Sequence, residues 1–212
     1  MIQQFDENNF HRFCDLLTQK DKDLRNIIRQ HGYPPMWTRP NTFQTLILTI
    51  LEQQVSLAAA YAAFKKLKER IGYVTPQKIL QLSDEEMRAC YFTRQKMGYA
   101  RHLAEAIISK QISLKKLSLL PDEEVRTKMI QLKGIGHWTI DVYLMHALQR
   151  TDLFPLGDIA LVNSLKENKR LHPHITKEEM LSVAEPWRPY RTIASMILWH
   201  SYIKKRNIKL QE

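Results

Sequence analysis

The sequence predicts an all-α protein. Apolar residues recur at helical spacing along most of the chain, and hydroxyl-plus-carboxylate pairs mark several helix starts. No run alternates apolar and polar residues as a half-buried strand would. The expectation is about ten helices joined by short loops.

Leu24, Ile27 and Ile28 form the first stripe, over Leu24 to Gln30, and Gly32 with Pro34-Pro35 stops it. Phe43, Leu46, Ile47, Ile50 and Leu51 predict a helix between Asn41 and Gln54. The next spans Ser56 to Ile71, ends at Gly72 and carries the basic face Lys65, Lys66, Lys68 and Arg70. Ser83-Asp84-Glu85-Glu86 and Thr176-Lys177-Glu178-Glu179 are capping boxes, in which hydroxyl and carboxylate satisfy opposite backbone donors. Pro121-Asp122-Glu123-Glu124 places proline at the first helical position and acids in the first turn. Glu124 to Leu132 and Trp138 to Leu148 read as successive helices. Asp158 opens another run through Ile159, Leu161, Val162 and Leu165, and Pro189 to Lys205 aligns Ile193, Met196, Ile197 and Ile203. No linker, low-complexity tract or fixed repeat intervenes, so residues 1–212 read as a single domain.

A chain of 212 residues, 44% hydrophobic, builds its core without disulfides or a structural metal. Cys14 and Cys90 are too few for a thiolate zinc site or an iron–sulfur cluster, and no metal is expected. The net charge of +10 favours a polyanionic partner, with solubility charge alone as the alternative. Met1 to Asp6 lack a basic-then-apolar signal pattern, and no apolar stretch approaches a membrane span. The expectation is an intracellular protein with no membrane partner, cytoplasmic if bacterial and nuclear if eukaryotic.

Of six glycines, Gly134 and Gly136 stand two apart in Leu132-Lys133-Gly134-Ile135-Gly136-His137-Trp138-Thr139. A third precedes the aspartate of Phe154-Pro155-Leu156-Gly157-Asp158. Glycines on either side of Ile135 allow a tight bend with positive φ angles, and Ile135 can plug that bend between its own two helices. Successive amides at the start of the second helix then favour a phosphate, with Lys133 and His137 at the edges. A plain helix connector is the alternative. Asp158 is an N-cap by position. An ionised carboxylate aimed outward there also suits a developing cation, and the two roles are compatible.

Taken together, Leu-x-Gly-Ile-Gly-x-Trp-Thr, a spacer and Phe-Pro-x-x-Asp resemble the helix-hairpin-helix superfamily of base-excision DNA glycosylases. Within it they resemble the alkylation-repair branch, the DNA-3-methyladenine glycosylase II type. Gln53-Gln54-Val55-Ser56-Leu57-Ala58 is similar to that branch's Gln-x-Val-Ser turn. Trp187-Arg188-Pro189-Tyr190-Arg191 through Leu198-Trp199 is similar to its C-terminal Trp-x-Pro-aromatic-Arg helix. The likeness runs from about Pro40 to Tyr202. It implies two closely packed helical lobes flanking a base-binding cleft, with the hairpin at about 124–148.

Carried over by position, the resemblance makes Asp158 catalytic. Trp138 and Trp199 become walls of the base pocket, with plain core packing as the alternative. Gln54, Ser56, Lys133, Gly134, Ile135, Gly136, His137 and Thr139 become DNA-binding. Gln54 would fill the gap left by an extruded nucleotide, or is an ordinary helix-end glutamine. Trp138 stands where the bifunctional branch has its Schiff-base lysine, which implies a monofunctional enzyme that removes alkylated purines and leaves an abasic site. Iron–sulfur cysteines are absent, and the chain is too short at its start for the additional β-rich domain of some members. Val142 and Ile159 replace pocket tyrosines found in some members, which bears on substrate range. The implied partner is double-stranded DNA containing damaged bases, bound by a monomer. No cofactor is implied, with a monovalent cation at the hairpin left open. The rival readings are a non-catalytic DNA-structure-binding protein and a glycosylase for uracil or oxidised bases.

Overall fold

Side-chain caps set most of the helix starts in the computed structural model, which describes residues 3–208. The first two helices are α1 (Phe10–Lys20) and α2 (Lys22–His31), the latter capped by Asp21. Then come α3 (Phe43–Glu52), α4 (Leu57–Ile71), α5 (Pro76–Gln81), α6 (Asp84–Ala89), α7 (Arg94–Ile108) and α8 (Leu114–Leu117). Thr42, Ser56, Thr75, Ser83, Thr93 and Ser113 cap these six in turn, each accepting an amide of the first turn. The remainder are α9 (Asp122–Met129), α10 (His137–Val142), α11 (Ile159–Lys169), α12 (Lys177–Ala184) and α13 (Arg191–Lys205). A π-helical segment, Tyr143–Ala147, continues α10, and a short 3₁₀ turn, Glu185–Trp187, follows α12.

The all-α expectation holds. Among the described residues, β-type pairing is limited to one isolated bridge between Gln4 and Arg150. Both capping boxes form as expected. There are thirteen α-helices among the described residues where about ten were expected, the excess including α5 and α8 of six and four residues. Segments that short carry too few turns to show a helical repeat. Pro121 is the N-cap of α9 and not its first helical residue. α9 ends at Met129, short of the expected Leu132. The helix expected over Trp138 to Leu148 changes to π geometry after Val142. Among the described residues no helix is long and apolar enough to cross a membrane.

The described residues divide into two units. One comprises residues 3–38 and 144–208 and is built on α13, whose residues from Thr192 to Ser201 are all buried. α13 packs against α1, α2 and α11. Burying Ile193, Met196, Ile197 and Leu198 along one helix supplies about 1.5–3 kcal/mol of transfer free energy per side chain. The other unit, Arg39–Tyr143, is built on α3, which packs on α4, α7 and α10. Every residue of α3 except Gln44 is buried, so its apolar run reads as a central helix and not an amphipathic surface one.

Candidate active site

In the unit Arg39–Tyr143, α9 and α10 are joined by a bend whose conformation rests on one glycine. Gly134 has φ +86°, and a Cβ there would come within 2.1 Å of Tyr99 Cγ on α7. The position therefore excludes side chains twice, by backbone angle and by the ring beneath it. Gly136 corrects the expectation of positive φ at both glycines. Its φ is −100° and ψ 178°, extended backbone open to any residue, and a Cβ would meet nothing within 4 Å. Gly136 is the exposed N-cap of α10 and has no side chain to occupy the first-turn amides.

Ile135 and Leu132 are buried, 3% and 2% exposed. With its side chain withdrawn from solvent, what Ile135 can offer a phosphate is backbone. Lys133 and His137 are exposed at the edges of the bend, and Trp138 is half-buried. Arg126 of α9 meets Asp141 of α10 at 2.5 Å and pins the two helices together. Burial pushes the Asp141 carboxyl above its ordinary range despite that guanidinium.

Thr139 was expected to face DNA, and the structure corrects this. Its side chain is 2% exposed, and its hydroxyl accepts a 3.0 Å hydrogen bond from Gln53 Nε2. The same Gln53 nitrogen donates to the Gly134 carbonyl at 2.8 Å. Gln53 thus ties the end of α3 to both sides of the bend, a role that sequence reasoning missed. The adjacent Gln54 is exposed and holds a left-handed backbone, φ 58°. That conformation costs a non-glycine residue on the order of 1 kcal/mol and is worth relating to function.

The turn bearing Gln54 is held from behind. Lys96 Nζ donates to the Leu51 carbonyl at 2.6 Å, and Arg39 makes a two-pronged ion pair with buried Glu52 at 2.6 and 2.8 Å. Ser56 is exposed and its hydroxyl caps α4, accepting the Ala59 amide at 3.2 Å. Val55 and Leu57 on either side of it are each 45% exposed.

In the unit of residues 3–38 and 144–208, Asp158 is the N-cap of α11. Its Oδ1 accepts the Leu161 amide at 2.8 Å and the Trp199 indole N–H at 3.0 Å. Asp158 is a half-buried residue. Trp199, on α13, is 9% exposed and stacks on His146 with ring centroids 5.6 Å apart and planes at 25°. His146 lies in the π-helical segment and its Nδ1 is 2.7 Å from the Trp37 carbonyl. A carbonyl can only accept, so Nδ1 carries the proton. Sequence reasoning also missed His146. Val142 is buried, whereas Ile159, the first residue of α11, is 77% exposed beside Asp158. Among the described residues no cluster of His, Cys, Asp and Glu is arranged to hold a metal ion.

Two helices clasped around a Gly-Ile-Gly bend, beside a glutamine-bearing turn and with a capping aspartate downstream, define a helix-hairpin-helix protein. The chain belongs to the HhH-GPD superfamily of base excision DNA repair proteins, whose family model matches residues 47–189. It is 32% identical to DNA-3-methyladenine glycosylase 1 of Schizosaccharomyces pombe, over 86% of this chain and 83% of that one. Its fold superposes on a Schizosaccharomyces pombe 3-methyladenine DNA glycosylase in complex with abasic DNA. There the TM-score is 0.79 and the identity 29%, over 91% of this chain and 95% of the other. A DNA-3-methyladenine glycosidase from Bacillus halodurans matches at TM-score 0.72 and 28% identity, over 90% and 88% of the two chains. Membership in this superfamily makes DNA the partner. The relatives carry alkylation-repair names, in agreement with the motifs.

Proposed function

We propose that the protein is a monofunctional DNA glycosylase that flips alkylated purines, such as 3-methyladenine or 7-methylguanine, out of duplex DNA and hydrolyses their N-glycosidic bond. The observation that carries this reading is Asp158, whose Oδ1 accepts both a helix N-terminal amide and an indole N–H.

A base inside the duplex is out of reach, so the nucleotide must be extruded, at a cost of a few kcal/mol. The exposed, left-handed Gln54 is suited to fill the vacancy. Amides at Gly136 and His137, with Lys133, are suited to hold phosphates without reading sequence. Alkylation at a ring nitrogen leaves the purine cationic, so an electron-rich indole face, such as that of Trp199 in the unit that holds Asp158, attracts it by roughly 0.5–2 kcal/mol. The same charge makes the base a good leaving group. The sugar then develops oxocarbenium character, as in glycoside hydrolysis. Asp158 stabilises that cation and orients or deprotonates the attacking water. No cofactor enters this chemistry, and the protein acts as a monomer.

The test is incubation of the purified protein with duplexes each carrying one lesion, followed by alkaline cleavage of abasic sites. Strand cleavage after alkali, confined to alkylated purines, supports the reading. Tight lesion binding with no base release favours the non-catalytic alternative.

A further inference from the structure

We infer that His146 is a positioning residue for Asp158, acting through Trp199. The inference rests on the proposed function and adds to it a residue that none of the sequence motifs contains.

The Leu161 amide and the Trp199 indole, which both donate to Asp158 Oδ1, differ in stiffness. The Leu161 amide is fixed by α11 itself, three residues away. The Trp199 indole comes from α13, at a sequence separation of 41 residues. An indole can turn about two side-chain torsions, so its N–H reaches one carboxylate oxygen at 3.0 Å only if the ring plane is held. His146 provides a flat surface against that plane, at 5.6 Å and 25°, the geometry of an offset stack. The imidazole is itself anchored, since its Nδ1–H donates to the Trp37 carbonyl at 2.7 Å. An ordered path therefore runs from the Trp37 backbone through His146 and Trp199 to the carboxylate, all within one unit.

The backbone at His146 supports a specific role. It lies in a five-residue π-helical segment, a rare geometry that rotates the following side chains away from the α-helical register. His146 is flanked by Met145 and Ala147, both buried, and is the half-buried polar residue in this apolar stretch. A histidine used only to fill space would be replaced there by leucine without consequence. Replacing the ring, by contrast, frees the indole that aims at Asp158.

Two readouts test this, one independent of turnover. The indole N–H signal of Trp199 is assigned among the four tryptophans by its loss in Trp199→Phe, and its hydrogen exchange is measured by NMR. Exchange is expected to quicken in His146→Ala and His146→Leu, and to quicken less in His146→Phe, which keeps the flat ring but loses its anchor on the Trp37 carbonyl. In single-turnover excision, His146→Ala is expected to slow base release roughly tenfold while affinity for abasic duplex holds. In the Trp199→Phe background, His146→Ala should add nothing further, because the element it acts through is gone.

Unchanged indole exchange in both His146→Ala and His146→Leu overturns the inference, as does equal quickening in all three variants. Additive rate losses overturn it as well. Should the wild-type protein release no base from any alkylated duplex, the proposed function fails, while the exchange measurement still decides the role of His146. His146→Leu, which preserves apolar volume, guards against reading a folding defect in His146→Ala as loss of positioning.

Discussion

Gly134 lies against the face of Tyr99, leaving no space for a single methyl group between the hairpin and α7. Its neighbour in the motif, Gly136, faces open space. The two glycines therefore answer to different demands, one from the fold and the other from what approaches the fold. Gly134→Ala is expected to cost about 2–4 kcal/mol, from positive φ and displacement of the Tyr99 ring. Urea unfolding measures it.

Gly136→Asp should behave in the opposite sense. An aspartate at this N-cap accepts first-turn amides and complements the helix dipole, so stability holds or rises by up to about 1 kcal/mol. DNA affinity at moderate salt should fall, since the amides are occupied and a negative charge faces the phosphate. A variant that is destabilised, or that binds DNA as well as wild type, contradicts the assigned role.

Asp158→Asn keeps the capping oxygen and the acceptor for Trp199 but removes the charge. Base release is expected to drop to near background, with thermal stability and abasic-duplex affinity close to wild type. Asp158→Ala should lose activity and also about 1 kcal/mol of stability, because α11 loses its cap. Gel-based excision assays paired with calorimetry separate the two variants.

Gln53 and Gln54 should divide structure from function. Gln53→Ala strands the Gly134 carbonyl and the buried Thr139 hydroxyl, at about 1–3 kcal/mol. Gln54→Gly removes a strained backbone and should leave stability within about 1 kcal/mol of wild type while slowing excision. Equal stability losses in both variants would contradict this division.

Asp21 sets an acid limit. Burial raises its carboxyl, but hydrogen bonds from Lys169, the Trp187 indole and the Leu24 amide, with the Lys169 charge, carry it below the ordinary 3.8. A depressed folded value stabilises the native state above the unfolded value, and the benefit is lost as pH falls through and below 3.8. Asp21→Asn is expected to be less stable at neutral pH and to show a shallower loss on acidification, read from denaturant midpoints between neutral pH and pH about 3.

The parts of the site set by local rules were legible in the sequence. A glycine in the bend, the aspartate at a helix start and the capping boxes each follow from neighbours within four residues. The exceptions depend on where an element stops. Which of two adjacent glutamines faces the hairpin is decided by α3 ending at Glu52, with Gln53 still extended and Gln54 left-handed. Thr139 looked like a contact residue until the turn of α10 directed it at Gln53. His146 was hidden because the π-helical segment breaks the period used to predict facing. Tyr99, which makes Gly134 obligatory, lies on another helix with no local signal to link the two.

The unit Arg39–Tyr143 is one uninterrupted stretch, whereas the unit holding Asp158 is assembled from two separated stretches. On the ribosome, the bend and its supports can close as soon as that inner stretch has emerged. The acid-bearing unit must wait for α13, since Trp199 and the central helix arrive last. Long-range closure of this kind is slow compared with local helix packing. A growing chain thus acquires its glycine bend well before its carboxylate is aimed, and a prematurely released polypeptide would carry the former without the latter.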